Sequence, residues 1–179
     1  MLPLALSQII EHSQNSVFAL NAFVALCQEE ILPRNSPVNN LPQPLPHDTL
    51  KVFAEFIEYS DDIDASLVEV MVAWIQIHDA RVRGLVSDSH DPVGTSGLTR
   101  RSIEVSVIGA ASIYAAAAAL FNYGRRREHR PPTNITWDDV RRAFTNMRLW
   151  DQDHPRLYKL LEGRERNFSG PFERLTHPA

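Results

Sequence analysis

Apolar residues recur at intervals of three, four and seven positions along most of the chain, which is the spacing of one face of an α-helix. Runs in which apolar and polar residues alternate, the pattern of a half-buried strand, do not extend beyond a few positions. We therefore predict an all-α protein, a single-domain bundle of five or six helices spanning residues 1–179. The predicted helices lie at about 4–32, 48–59, 67–82, 99–123, 137–150 and 156–164.

Residues with strong local preferences define the predicted boundaries. Pro33 should end the first helix, because proline cannot continue the helical hydrogen bonds. Ser66 and Glu69 form a capping-box pattern at the start of the third helix, and Gly84 suits its C-terminal cap. The segments predicted to be non-helical are a proline-rich connector at 32–47, a loop at 87–98 and an irregular tail from 167.

The segment 105–123 contains no charged residue and consists mostly of Ala, Ser and Gly. A bilayer core requires about 20 apolar residues, so a membrane span is one interpretation. We favour the alternative, a buried helix over about 99–123 at the centre of the bundle, because small side chains let neighbouring helices approach closely. The chain also starts without the basic residues of a signal peptide, so we expect a cytoplasmic location and no membrane partner.

The composition is that of a globular domain and narrows the function classes. Of the 179 residues, 44% are apolar and 22% are charged, and the single cysteine, Cys27, excludes an intrachain disulfide. No glycine-rich phosphate loop, nucleophile elbow or dinucleotide-binding fingerprint occurs in the sequence, which excludes the commonest enzyme classes. We therefore expect no cofactor.

Charge is distributed unevenly. Residues 1–124 hold 6 Lys and Arg against 14 Asp and Glu, whereas residues 125–179 hold 12 against 8, so the net charge is −8 in the first part and +4 in the second. The densest basic patch consists of Arg125, Arg126, Arg127, His129 and Arg130. We predict that it binds an anion or a protein partner, with nucleic acid as an alternative. Compensation of the helix dipole explains the same arginines without a ligand.

Arg83 and His90 are separated by six residues near the end of the third predicted helix. This spacing resembles the Arg and His signature of HEPN ribonucleases, which are small helical bundles that dimerise to bring two such pairs together. The resemblance implies that Arg83 stabilises the scissile phosphate and that His90 assists proton transfer. Gly84 departs from the polar residue usual after that arginine. The alternative is a solvated arginine and a histidine in a loop.

His47, the dipeptide His78-Asp79 and a later Asp151 or Asp153 occur in an order that resembles the HD-type metal phosphohydrolases. The resemblance implies a divalent metal on these side chains that activates water for attack on a phosphate. The alternative is that His78 and Asp79 lie on a helix surface.

We favour a non-catalytic helical module that binds itself, as a homo-oligomer, or binds a protein partner. Acidic residues at about 55–64 are interpreted as a solvated turn that faces arginines of a neighbouring molecule. The alternative is an enzyme, either the HEPN-like ribonuclease or the HD-like phosphohydrolase.

Overall fold

The computed structural model of the chain describes residues 1–33, 44–90 and 99–172, without the side chains of 86–90. This part of the chain folds into six α-helices, with two isolated β-bridges and no strand. The helices are α1 (Leu2–Leu26), α2 (His47–Tyr59), α3 (Asp62–His90), α4 (Arg100–Gly124), α5 (Trp137–Asn146) and α6 (Pro155–Asn167). The prediction of an all-α bundle around an alanine-rich helix is confirmed.

The central helix is α4, which packs most extensively on α1 and also contacts α3, α5 and α6. Its alanines lie inside the bundle; Ala110, Ala111 and Ala116 are each 0% exposed. Their small side chains let the neighbouring helices approach the α4 backbone, and at Gly124 a Cβ atom would lie only 3.2 Å from Leu6. α4 has the length and mean hydropathy (1.8) of a membrane span, but 78% of its apolar window is buried, as in the core helix of a soluble protein.

Side-chain caps begin α4 and α5. The Thr99 hydroxyl accepts a hydrogen bond from the backbone N–H of Ser102 at 3.2 Å. Thr136 and Asp139 form a complete capping box, in which each side chain accepts from the other residue's backbone N–H. Both helices therefore begin within one residue of where the sequence predicts them to begin.

α1 ends at Leu26, so the prediction that this helix reaches residue 32 is wrong. After Cys27 the backbone is extended, and Glu29 has a φ of 57° in a tight turn closed by hydrogen bonds between Gln28 and Ile31. The turn is held against other elements, because the carbonyl of Glu30 accepts from Arg100 N at 2.8 Å and the carboxylate of Glu30 pairs with Arg156. These long-range contacts outweigh the local preference for helix.

α3 is longer at both ends than predicted. It begins at Asp62, with Asp62 and Asp64 in its first turn where carboxylates stabilise the helix dipole. Ser66 is not a cap; its hydroxyl donates to the carbonyl of Ile63 within the helix. Gly84 is not a cap either, since α3 continues to His90. A glycine inside a helix costs only about 1 kcal/mol relative to alanine, which the packing of the rest of α3 outweighs.

The predicted connector, loop and tail are only partly described. Residues 34–43, 91–98 and 173–179 lie outside the described residues. Beyond α6, the chain to Phe172 is not helical and is anchored by aromatic contacts. Trp137 Nε1 donates to the carbonyl of Phe168 at 3.1 Å, and the ring centroid of Phe172 lies 5.6 Å from that of Trp74.

Candidate functional site

Arg83 and His90 both lie on α3, so the prediction that His90 belongs to a loop is wrong. With six residues between them on one helix, their Cα atoms are about 10 Å apart. Arg83 is exposed and forms no ion pair with any residue that the structure describes. The side chain of His90 lies outside the described atoms.

His78 is a core residue, only 2% exposed, which contradicts its placement on a helix surface. It faces α4 at Gly109, where a Cβ atom would lie 3.8 Å from His78 Nδ1, and its Nε2 has no hydrogen-bond partner among the described residues. Burial lowers the pKa of His78 to about 4, so the ring is neutral at pH 7. The next residue, Asp79, lies 3.0 Å from Nε2 of His12 on α1.

The candidate metal ligands are not brought together. His47 is the first residue of α2, whereas His78 and Asp79 belong to the interface of α3 with α1 and α4. In the described ranges, no group of three or more His, Cys, Asp or Glu side chains is placed to hold a metal ion. The geometry therefore offers no support for the phosphohydrolase alternative.

The predicted basic patch forms an exposed turn after α4. Its backbone N–H groups complete the end of the helix, and the Arg125 guanidinium lies 4.7 Å from the ring centroid of Phe121. No carboxylate among the described residues forms an ion pair with these arginines. The turn borders a shallow cleft of about 530 Å³, lined by Leu2, Phe56, Tyr123, Gly124, Arg126, Glu128 and His129. The patch is accessible to an anionic partner.

An additional feature, which the sequence reasoning missed, lies on the outer face of α3. The residues of this face are spaced alternately three and four positions apart, which is the spacing of a coiled-coil seam. We call this face the α3 stripe; it consists of Ile63, Ser66, Val70, Ala73, Ile77, Ala80 and Gly84. Ile63, Val70 and Ile77 are 68%, 39% and 41% exposed. The branched side chains of the stripe are therefore exposed, whereas Ser66 is half-buried and its hydroxyl also donates to the carbonyl of Thr133 at 3.5 Å.

The opposite face of α3 supplies the core through Leu67, Met71 and Ile75, which are at most 2% exposed. A surface helix of a globular protein needs only one apolar face. The signal in the sequence was the series Ile63, Val70 and Ile77 at intervals of seven, in addition to the residues that face the core. This series was missed because all the apolar residues of α3 were assigned to a single helix face.

Polar residues follow one edge of the stripe, also at intervals of seven. Three of them are charged, Asp62, Glu69 and Arg83; the fourth position of the series is the neutral Gln76, and all four residues are exposed. Acidic residues thus lie near the start of the stripe and a basic residue near its end. Within the described residues, Asp62, Glu69 and Arg83 form no ion pair.

No family model, curated protein or solved structure matches the chain. The class of protein that can be stated from fold and surface is an all-α bundle with an exposed, heptad-spaced helix face.

Proposed function

We propose that the protein is a non-catalytic helical module that self-associates, with the α3 stripe as the surface through which two copies bind. The observation that carries the proposal is the second apolar face of α3, whose branched residues remain up to 68% exposed in the single chain. Exposed apolar faces with this spacing are typical of helices that pack against a partner helix.

The side chains of the stripe suit close contact with another helix. The positions three residues after Ile63, Val70 and Ile77 are occupied by the small residues Ser66, Ala73 and Ala80. Branched side chains of one helix can insert over small residues of the facing helix, which brings the two backbones close together. The same surface is then complementary to itself, as a twofold-symmetric dimer requires.

The flanking charges favour an antiparallel arrangement. With a twofold axis beside Ala73, Asp62 of one copy lies opposite the partner's Arg83, and Glu69 lies opposite the partner's Gln76. The dimer then contains two ion pairs and two hydrogen bonds, one of each on either side of the axis. A parallel arrangement would instead place the acidic starts of both α3 helices side by side, which is unfavourable.

The size of the stripe predicts a reversible dimer. From Asp62 to Gly84 the helix is about 33 Å long, and a contact about 10 Å wide covers roughly 350 Å² on each copy. A stable interface typically buries about 800 Å² per partner. Exposed neighbours such as Tyr59, 82% exposed, can extend the contact, but we expect self-association to depend on concentration.

The enzyme alternatives lack comparable support. Arg83 and His90 are two turns apart on one helix, and the ring of His78 is buried and neutral. Among the described residues, no group of side chains is placed to hold the metal that the phosphohydrolase would need.

Sedimentation equilibrium over a range of protein concentrations tests the proposal. We expect the wild type to dimerise and Ile77→Glu to weaken the dimer by at least about tenfold, because the new carboxylate would lie unpaired in an apolar seam. The matched control is Phe18→Glu, which places the same charge at a 70% exposed apolar position of α1 and should leave the dimer intact. Circular dichroism checks that both variants are folded.

Charge reversal tests the antiparallel arrangement separately. Asp62→Arg and Arg83→Asp should each weaken the dimer, because each places like charges across the axis, and the double variant should restore it. A wild type that stays monomeric at every concentration would overturn the proposal, as would an Ile77→Glu variant that dimerises normally.

A further inference from the structure

The cleft beside the basic turn combines aromatic and cationic side chains. Its volume of about 530 Å³ is within the range of about 300–1,000 Å³ that is typical of ligand sites, and its lining includes Phe56, Tyr123, Arg126 and His129. The rings of Phe56 and Tyr123 meet edge to face, with their centroids 5.9 Å apart, and both side chains are only half-buried. One end of the bundle therefore offers aromatic surface next to a guanidinium group.

The positive charge of the turn exceeds what the end of α4 requires. Residues 125–130 hold four arginines and one glutamate, so their net charge is +3 with His129 neutral, and all six residues are exposed. The effect of a helix dipole is confined to about the last turn, and the last turn of α4 contains no basic residue. The dipole therefore does not by itself account for a run of four arginines that begins only after the helix.

The backbone of the turn is held in place without the arginine side chains. The N–H groups of Arg125, Arg126 and Arg127 donate to carbonyls in the last turn of α4 at 2.8–2.9 Å. Glu128, a carboxylate in the lining of the cleft, accepts a hydrogen bond from Asn122 Nδ2 at 3.3 Å. The guanidinium groups are thus displayed on a fixed backbone, which reduces the entropy lost when they bind a ligand.

We propose that this cleft binds single-stranded nucleic acid, with a base against the rings of Phe56 and Tyr123 and the adjoining phosphates on the arginines of the basic turn. Base stacking on aromatic side chains and ion pairs with phosphates are the two contacts by which proteins bind single strands without sequence preference. An acidic protein segment would use the arginines but not the rings, so the aromatic lining favours nucleic acid. This inference does not depend on the proposed dimer, which uses the outer face of α3.

Fluorescence polarisation of the full chain with a labelled oligouridylate of about ten nucleotides, at about 50 mM salt, tests the site. We expect saturable binding. An oligonucleotide of the same length and charge that lacks bases should bind at least about fivefold more weakly, because stacking on the rings is lost.

Arg126→Gly removes one guanidinium and preserves the turn, because Arg126 has a φ of 56°, a conformation that glycine adopts freely. We expect the affinity for oligouridylate to fall by at least about fivefold through the loss of a charge-assisted contact. The slope of log K against log salt concentration should also become shallower by about 0.7, the value for one phosphate contact of a single strand. A purely structural role of Arg126 would leave this slope unchanged.

The matched control is Arg148→Gly. Arg148 is exposed, has a φ of 59° and occupies the position after α5 that Arg126 occupies after α4, so its replacement should change neither the affinity nor the slope. Tyr123→Leu should reduce the difference in affinity between the oligonucleotides with and without bases, because leucine offers no ring for stacking. Circular dichroism checks that all three variants are folded.

Three results would overturn the proposal. The first is a wild type that does not bind oligouridylate. The second is equal affinity for the oligonucleotides with and without bases, which would show that the turn binds charge alone. The third is displacement of the labelled oligouridylate by polyglutamate as effectively as by unlabelled oligouridylate, which would favour an acidic protein partner.

Discussion

The buried ring of His78 makes the stability of the fold depend on pH in a defined window. Burial is the main cause that lowers its pKa in the folded protein to about 4; His12 and Arg81 lower it as well, whereas Asp79 raises it. In the unfolded chain a histidine has a pKa of about 6.5. Between these values the unfolded state binds a proton that the folded state does not bind, so stability falls as the pH decreases from about 6.5 to about 4.

The size of the effect follows from the two pKa values. A difference of one pKa unit corresponds to about 1.4 kcal/mol, so His78 alone removes roughly 3 kcal/mol of stability by about pH 4. At about pH 5 the loss is already about 2 kcal/mol, and above about pH 7 the contribution is constant. This loss is a large fraction of the free energy of unfolding of a typical domain, about 5–15 kcal/mol.

Urea denaturation at about pH 7.5 and pH 5 measures this loss in the wild type and in His78→Leu. We expect the variant to lose about 2 kcal/mol less than the wild type between the two conditions, whatever its stability at neutral pH. His47→Leu is the matched control, because His47 is exposed at the start of α2. If His78→Leu loses as much stability as the wild type, then the ring is not buried and neutral, and the reasoning is refuted.

Two further predictions concern helix ends and packing, and chemical denaturation measures both. Thr136→Ala should lower the free energy of unfolding by about 1 kcal/mol, because the capping box of α5 is lost. The control is Thr133→Ala at a nearby exposed position, which should change it by less than about 0.5 kcal/mol. Ala116→Leu should lower the free energy of unfolding by about 1–3 kcal/mol or more, because it overpacks the centre of the bundle. Ala118→Leu, on the exposed side of α4, should change it little. Equal effects of the two substitutions would contradict the central position of α4.

Several features of the fold could be predicted from short-range patterns. The uncharged run 105–123 predicted the central helix, because a helix without a polar face is stable in water only when other helices surround it. The predicted starts at about 99 and 137 agree with those of α4 and α5, where the hydroxyls of Thr99 and Thr136 satisfy free backbone N–H groups. These are local preferences that act within a few residues.

The candidate sites could not be predicted in this way. Glu165 on α6, for example, is adjacent to Arg164 in sequence yet pairs with Arg141 on α5. Which charge meets which carboxylate is decided by the packing of whole helices, not by neighbours in the chain. His78 likewise reads as an ordinary residue of the helix surface until α4 is placed against it.

The amino-acid sequence by itself therefore determined that the chain forms helices, where several of them begin and which of them lies at the centre, because backbone capping and amphipathic spacing are short-range properties. Only the tertiary structure decided where α1 ends, that α3 has a second apolar face exposed among the described residues, and that the ring of His78 is buried. Burial and ion pairing depend on which helices are neighbours, and that arrangement is a property of the assembled bundle.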